Sequence, residues 1–158
     1  MNTTFSLFRI IFSHLITRLL LLTIFVSLVS SLKAQASTVS VSSSEIVAAT
    51  LILEAGGESD PRAMAAVREV IANRAKNKTE MSVCLAPKQF SCWNGRSVES
   101  GIAKAKKHPK WAQALQIANA RPTSYTLGAT HYHTTKISLY WSKSLAKTTT
   151  IGHHIFYK

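Results

Sequence analysis

The sequence predicts a mainly α fold, in the α+β class, with a small β element near the C-terminus. Three observations carry this. Apolar residues recur at helical spacing between Ile46 and Ile71. Cap and stop residues bracket those runs. After Pro122 the chain turns to short stretches rich in aromatic and β-branched residues, which favour strands.

Ser42, with Glu45 three residues on, is a capping-box signature. A helix is expected from there through Ile46, Val47, Leu51 and Ile52, with Gly56 placed to end it. Asp60-Pro61 is expected to open a second helix, Asp60 as N-cap and Pro61 at its first position. Met64, Val67, Val70, Ile71 and Arg74 continue it to near Lys76. Val83 to Gly95 lacks helical periodicity and is expected to be an ordered loop. Pro109 starts a helix through Trp111, Leu115 and Ile117, stopped by Arg121-Pro122. Ala129–Thr134 and His154–Tyr157 are expected strands, with a Lys/Thr turn between them after Tyr140-Trp141.

The first residues carry a targeting signal rather than fold. Arg9 and Arg18 give a basic start, Leu19 to Val29 is apolar, and Ala34-Gln35-Ala36 is a small-residue cleavage site. Residues 1–36 are therefore expected to be a signal peptide, 37–45 a Ser/Val/Thr-rich linker, and 46–158 one domain. The apolar run is short for a membrane span, so cleavage is expected to leave no stable span and an exported product, with an uncleaved N-terminal anchor as the alternative. The whole chain has 19 basic and 7 acidic residues. Loss of Arg9, Arg18 and Lys33 (19 − 3) leaves 16 basic residues against 7, a net charge of +9. All seven acids lie between Glu45 and Glu99, and the chain beyond Ser100 has basic residues only. Such asymmetry points to an anionic polymer, in an exported protein a cell wall polymer before nucleic acid. A solvated basic face that only aids solubility is the plainer alternative.

Cys84 and Cys92 are close, even in number and in an exported chain, which predicts a disulfide. Two buried thiols are the alternative. Glu54 is the most informative single residue. It follows an apolar helical run and precedes Gly56-Gly57. A helix C-terminus disfavours a second negative charge and apolar neighbours disfavour any charge, so both favour the protonated acid. That is the form a general acid of glycoside cleavage needs.

Several segments, in order, resemble the SleB-type cell wall hydrolase family. They are Glu54-Ala55-Gly56-Gly57-Glu58 with Ala65-Ala66-Val67 and Val70-Ile71-Ala72-Asn73-Arg74. Gln89-Phe90-Ser91-Cys92-Trp93-Asn94 and Gly128-Ala129-Thr130-His131-Tyr132-His133 follow. Trp141 and Ile151-Gly152-His153-His154-Ile155-Phe156-Tyr157 complete the set. The resemblance spans about Val47 to Lys158. It implies a lysozyme-like fold, cleavage of peptidoglycan glycan strands, and a catalytic glutamate at Glu54. Several members are regarded as lytic transglycosylases. Leu53 stands where the family usually has a small residue, and Gly56 where it commonly has a basic one.

The candidate substrate-binding residues are Glu58, Gln89, Phe90, Trp93, Asn94, His131, Tyr132 and His133. Rings can stack on sugar faces and amides can bond hydroxyls. Phe90 and Trp93 could equally be core. A hydrolase using two carboxylates needs a second acid across the bond, and the C-terminal half has none. A lytic transglycosylase needs one glutamic acid, which protonates the glycosidic oxygen and then helps the substrate's C6 hydroxyl close a 1,6-anhydro ring. That reading is preferred to muramidase-type hydrolysis and calls for no cofactor or metal. A zinc amidase or peptidase built on His131, His133, His153 and His154 is a third reading, though no His-Glu-x-x-His pattern supports it. A non-catalytic wall-binding protein is a fourth. A monomer acting on glycan strands is expected.

Overall fold

The computed structural model describes residues 40–158. The expected signal peptide and residues 37–39 of the expected linker lie outside the described residues. Helix α1 (Ser43–Ala55) starts at the expected capping box. Glu45 donates its N–H to Ser42 Oγ at 3.2 Å and returns a carboxylate oxygen to the Ser42 N–H at 3.1 Å. Ile46 to Ile52 are all buried. A helix apolar on every side belongs in the interior, and α1 is packed by α2 (Ala63–Arg74), α3 (Glu80–Leu85), α4 (Val98–Lys106) and α5 (Trp111–Asn119). Gly56 ends α1, its N–H bonded to the Ile52 carbonyl.

Helix α2 begins later than the Asp60-Pro61 pattern suggests, with Arg62 as its N-cap. The Asp60 carboxylate is taken up locally by Arg62, accepting its backbone N–H at 2.9 Å and its guanidinium at 2.8 Å, so it closes a turn instead of capping a helix. Two stripes of α2 are buried. Met64, Val67 and Ile71 face the α1 core, whereas Ala66 and Val70 pack with Ala129, Ile151 and Phe156 of the C-terminal sheet. Helix α2 is thus the wall that joins helices to sheet.

The segment expected to be irregular, Val83 to Gly95, carries the end of α3 and a 3-10 turn (Ser91–Trp93). Ser97 caps α4, which the expected elements did not include. The Trp93 indole N–H donates to Thr50 Oγ1 at 3.0 Å, and its ring lies so close to Gly101 that a Cβ there would collide with it. The sheet has the order β1-β3-β2, all antiparallel, with β1 at His131–Thr134, β2 at Lys147–Ile151 and β3 at His154–Tyr157. Both expected strands form, β1 shorter than expected. The expected Lys/Thr turn is instead β2, because the Thr residues there are β-branched and have a partner strand to pair with. Gly152, at φ +55, allows the two-residue turn into β3.

Candidate functional site

A cleft of about 670 Å³ opens between the end of α1, the segment before the 3-10 turn, and the sheet. Glu54, in the last turn of α1, is held from two sides. Its Oε2 accepts from the Tyr132 hydroxyl at 2.8 Å, and its Oε1 accepts the backbone N–H of Cys92 at 3.1 Å. The two donors come from β1 and from the 3-10 turn, so the carboxyl orientation is a product of tertiary assembly. Glu54 is the only carboxylate lining the cleft among the described residues, whereas Arg74 and Lys88 line it as cations.

Tyr132 is wedged among Phe90, His154 and Phe156, with ring centroids at 6.4, 5.2 and 5.6 Å. Burial, with Glu54 beside it, holds the phenol well above its ordinary pKa, so it remains a donor. Tyr132→Phe removes one charged hydrogen bond, worth about 1.5–3 kcal/mol. It is expected to cut kcat on purified cell walls about 10–100-fold with little change in KM. Steady-state kinetics alongside a melting curve check this.

Arg74 braces the floor. Its Nε donates to the Thr130 carbonyl at 2.6 Å, its Nη1 to the Gln89 carbonyl at 3.1 Å, and its guanidinium lies 5.0 Å from the Phe90 ring centre. His131 and His133 project to the same side of β1, as alternation requires, and both pack on Trp141 at 5.2 and 5.5 Å. Burial, followed by Arg74, lowers the His131 pKa, so its ring favours the neutral form.

Of the sequence candidates, Glu54, Gln89, Phe90, His131, Tyr132 and His133 line the cleft. Trp93 does not: its indole is buried in the helical core and bonded to Thr50. Asn94 is exposed and outside the cleft wall. Glu58 lines a separate pocket of about 180 Å³ with Asp60, Met64, Lys110 and Gln113. The Gly56-Gly57 break turns it away from the Glu54 face. Cleft residues that the sequence did not single out as binding include Arg74, Lys88, Trp141 and His154. The motif segments containing Arg74 and His154 were visible, but not the direction of their side chains.

Cys84 and Cys92 are free thiols, not the expected disulfide. Cys84 sits beside Thr50 and Cys92 beside Glu54. Burial pushes the Cys84 thiol up to about 11. Burial, followed by Glu54, pushes Cys92 up as well, so both stay protonated and poorly nucleophilic. No three His, Cys, Asp or Glu side chains are grouped as metal ligands among the described residues. No described helix is long and apolar enough to cross a membrane.

The family profile described as Cell Wall Hydrolase matches residues 57–157. That span starts just after Glu54 and covers the other cleft residues apart from Leu53. Among solved structures, the catalytic domain of the Bacillus cereus SleB protein is similar. The TM-score is 0.53 at 24% sequence identity, over 73% of this chain and 89% of that one. That likeness is one of fold. No curated protein matches the chain.

Proposed function

The chain belongs to the cell wall hydrolase family, and from that premise we propose that it is an exported lytic transglycosylase of peptidoglycan glycan strands. The bond cleaved lies between N-acetylmuramic acid and N-acetylglucosamine, and Glu54 is the acid and then the base. One observation supports this most directly. A single carboxylate, oriented by Tyr132 and the Cys92 N–H, lines the cleft, and no second carboxylate faces it among the lining residues.

Glu54, protonated, gives its proton to the glycosidic oxygen as the bond to the muramic C1 breaks. The resulting carboxylate stays beside the positive charge at C1 and accepts the proton of the C6 hydroxyl as the 1,6-anhydro ring closes. Tyr132 keeps the carboxyl in one orientation through both halves, which saves reorganisation at the moment of reaction. Trp141 with its flanking histidines offers a ring surface for a sugar face. Arg74 and Lys88 make the cleft suitable for glycan bearing anionic stem peptides. The exposed lysines of the C-terminal half hold the enzyme to anionic wall polymer, an attraction that salt screens.

The test is mass spectrometry of muropeptides released from purified cell walls. The expected result is 1,6-anhydro-muramic ends, unaffected by chelator. Reducing ends alone would replace the transglycosylase reading with hydrolysis. Free stem peptides that vanish on chelation would transfer the chemistry to a metal.

A further inference from the structure

The proposed reaction gives no part to His154, a buried, titratable residue of the cleft. His154 opens β3, the central strand, paired with Thr134 on one side and Ile151 on the other. Its side chain is only 4% exposed, yet it lines the cleft, edge-on to Tyr132 at 5.2 Å. Its Nδ1 is buried with no hydrogen-bond partner and lies 3.8 Å from Glu58 Oε1. The other Glu58 oxygen is already occupied, accepting the His153 backbone N–H at 3.1 Å and meeting the His153 ring at 2.9 Å. Gly152 makes this approach possible, since a Cβ there would stand 2.5 Å from Glu58 Oε2. A carboxylate is therefore anchored behind the imidazole with one oxygen left to face it.

Resting on the transglycosylase reading, we propose that His154, backed by Glu58, is a second acid–base group of the cleft that delivers water to the sugar cation formed by Glu54. The enzyme then releases reducing muramic ends beside 1,6-anhydro ones. Glu58 as acceptor sets the tautomer with hydrogen on Nδ1, leaving Nε2 as the basic atom. Burial lowers the His154 pKa; Glu58 and Glu54 oppose this and His153 adds to it, with the net effect favouring the neutral base. Burial alone would raise Glu58, but the hydrogen bonds from the His153 backbone and ring act against it, and the net direction is downward, which keeps Glu58 ionised. The groups facing His154 are thus Glu58, Glu54, Tyr132 and His153. At 3.8 Å the Nδ1–Oε1 contact is longer than a hydrogen bond. Catalytic contacts are often long in unliganded enzymes and tighten with substrate.

The step balances. Glu54 protonates the leaving oxygen and the C1–O bond breaks. Water oxygen bonds to C1 and its proton passes to His154 Nε2, where Glu58 stabilises the imidazolium. Solvent carries the proton from His154 and reprotonates Glu54. One water is consumed and the glycan strand is hydrolysed.

The experiment measures the ratio of reducing to 1,6-anhydro ends released from purified cell walls by the wild type, His154→Gln and Glu58→Gln. A mixture is expected from the wild type, and a ratio at least about tenfold lower in His154→Gln. Glu58→Gln should shift the ratio in the same direction, and it carries the test alone should His154→Gln fail to fold. A structural role would slow both products together and leave the ratio unmoved. Anhydro ends only from the wild type, or an unchanged ratio in the folded variants, would overturn the proposal and leave the transglycosylase reading standing. Reducing ends only would overturn that reading instead. His154 would then stay the base if His154→Gln lost cleavage, and would be dismissed if it did not.

Discussion

Glu54→Gln is expected to reduce glycan cleavage about 10²–10⁴-fold, the usual worth of a positioned general acid–base group, while the fold persists. The side chain is in the last turn of α1 and reaches the cleft, so the amide replaces the acid without opening the core. Its carbonyl oxygen can still accept from Tyr132 or the Cys92 N–H, but an amide can neither give up nor take a proton in the required steps. Release of soluble muropeptides, with a thermal melt of the same preparation, is the check. Normal turnover by the folded variant would sink the assignment of Glu54. The contrast with Tyr132→Phe is instructive: that change loosens the acid and should leave measurable activity, whereas this one removes it.

The largest stability effect is expected at Glu69, outside the cleft. A charge next to Arg68 on an amphipathic helix reads as a surface ion, yet Glu69 is 3% exposed. Its carboxylate accepts the backbone N–H of Thr126 at 3.0 Å and of Gly128 at 3.5 Å, and the hydroxyl of Thr123 at 3.3 Å. It therefore organises the connection from α5 to β1, where Leu127 and Gly128 both have positive φ. Glu69→Ala leaves those donors unmatched, at about 1–3 kcal/mol for each buried one. A total loss of about 3 kcal/mol is expected, which lowers Tm by roughly 10 °C for a domain of this size. Calorimetry checks this. Because that connection leads into His131 and Tyr132, activity should fall at temperatures where the variant is still mostly folded. A melting point within a degree or two of the wild type would show that the connection is held by other contacts.

Local chemistry was sufficient for some elements. The capping box at Ser42, the helical repeat along α1 and α2 and the β-rich segment His154–Tyr157 are each short-range patterns, and all form where they were expected. Asp60-Pro61 misled because an Asp can satisfy a neighbour's backbone N–H in a turn as readily as it caps a helix. Lys147–Ile151 was taken for a turn because a Thr-rich stretch pairs only when a strand is brought alongside. The cysteine spacing predicts a disulfide, whereas Cys84 and Cys92 are free thiols that sit beside Thr50 and Glu54 of α1.

What the sequence by itself determined is the mainly helical class, carried by residue type at helical spacing, and the family, carried by its ordered motifs, among which Glu54 is the candidate acid. Which side chains share a cleft was decided by tertiary packing. Glu54 and Glu58 are four residues apart but line different pockets, because the Gly56-Gly57 break redirects the chain between them. Glu54 and Tyr132 are 78 residues apart and share a hydrogen bond. Trp93 turned inward because its indole N–H finds Thr50 and its ring finds the space left by Gly101. Side-chain direction and partners depend on how α1, α2 and the sheet stack, and that information is spread over many distant contacts rather than written in any one motif.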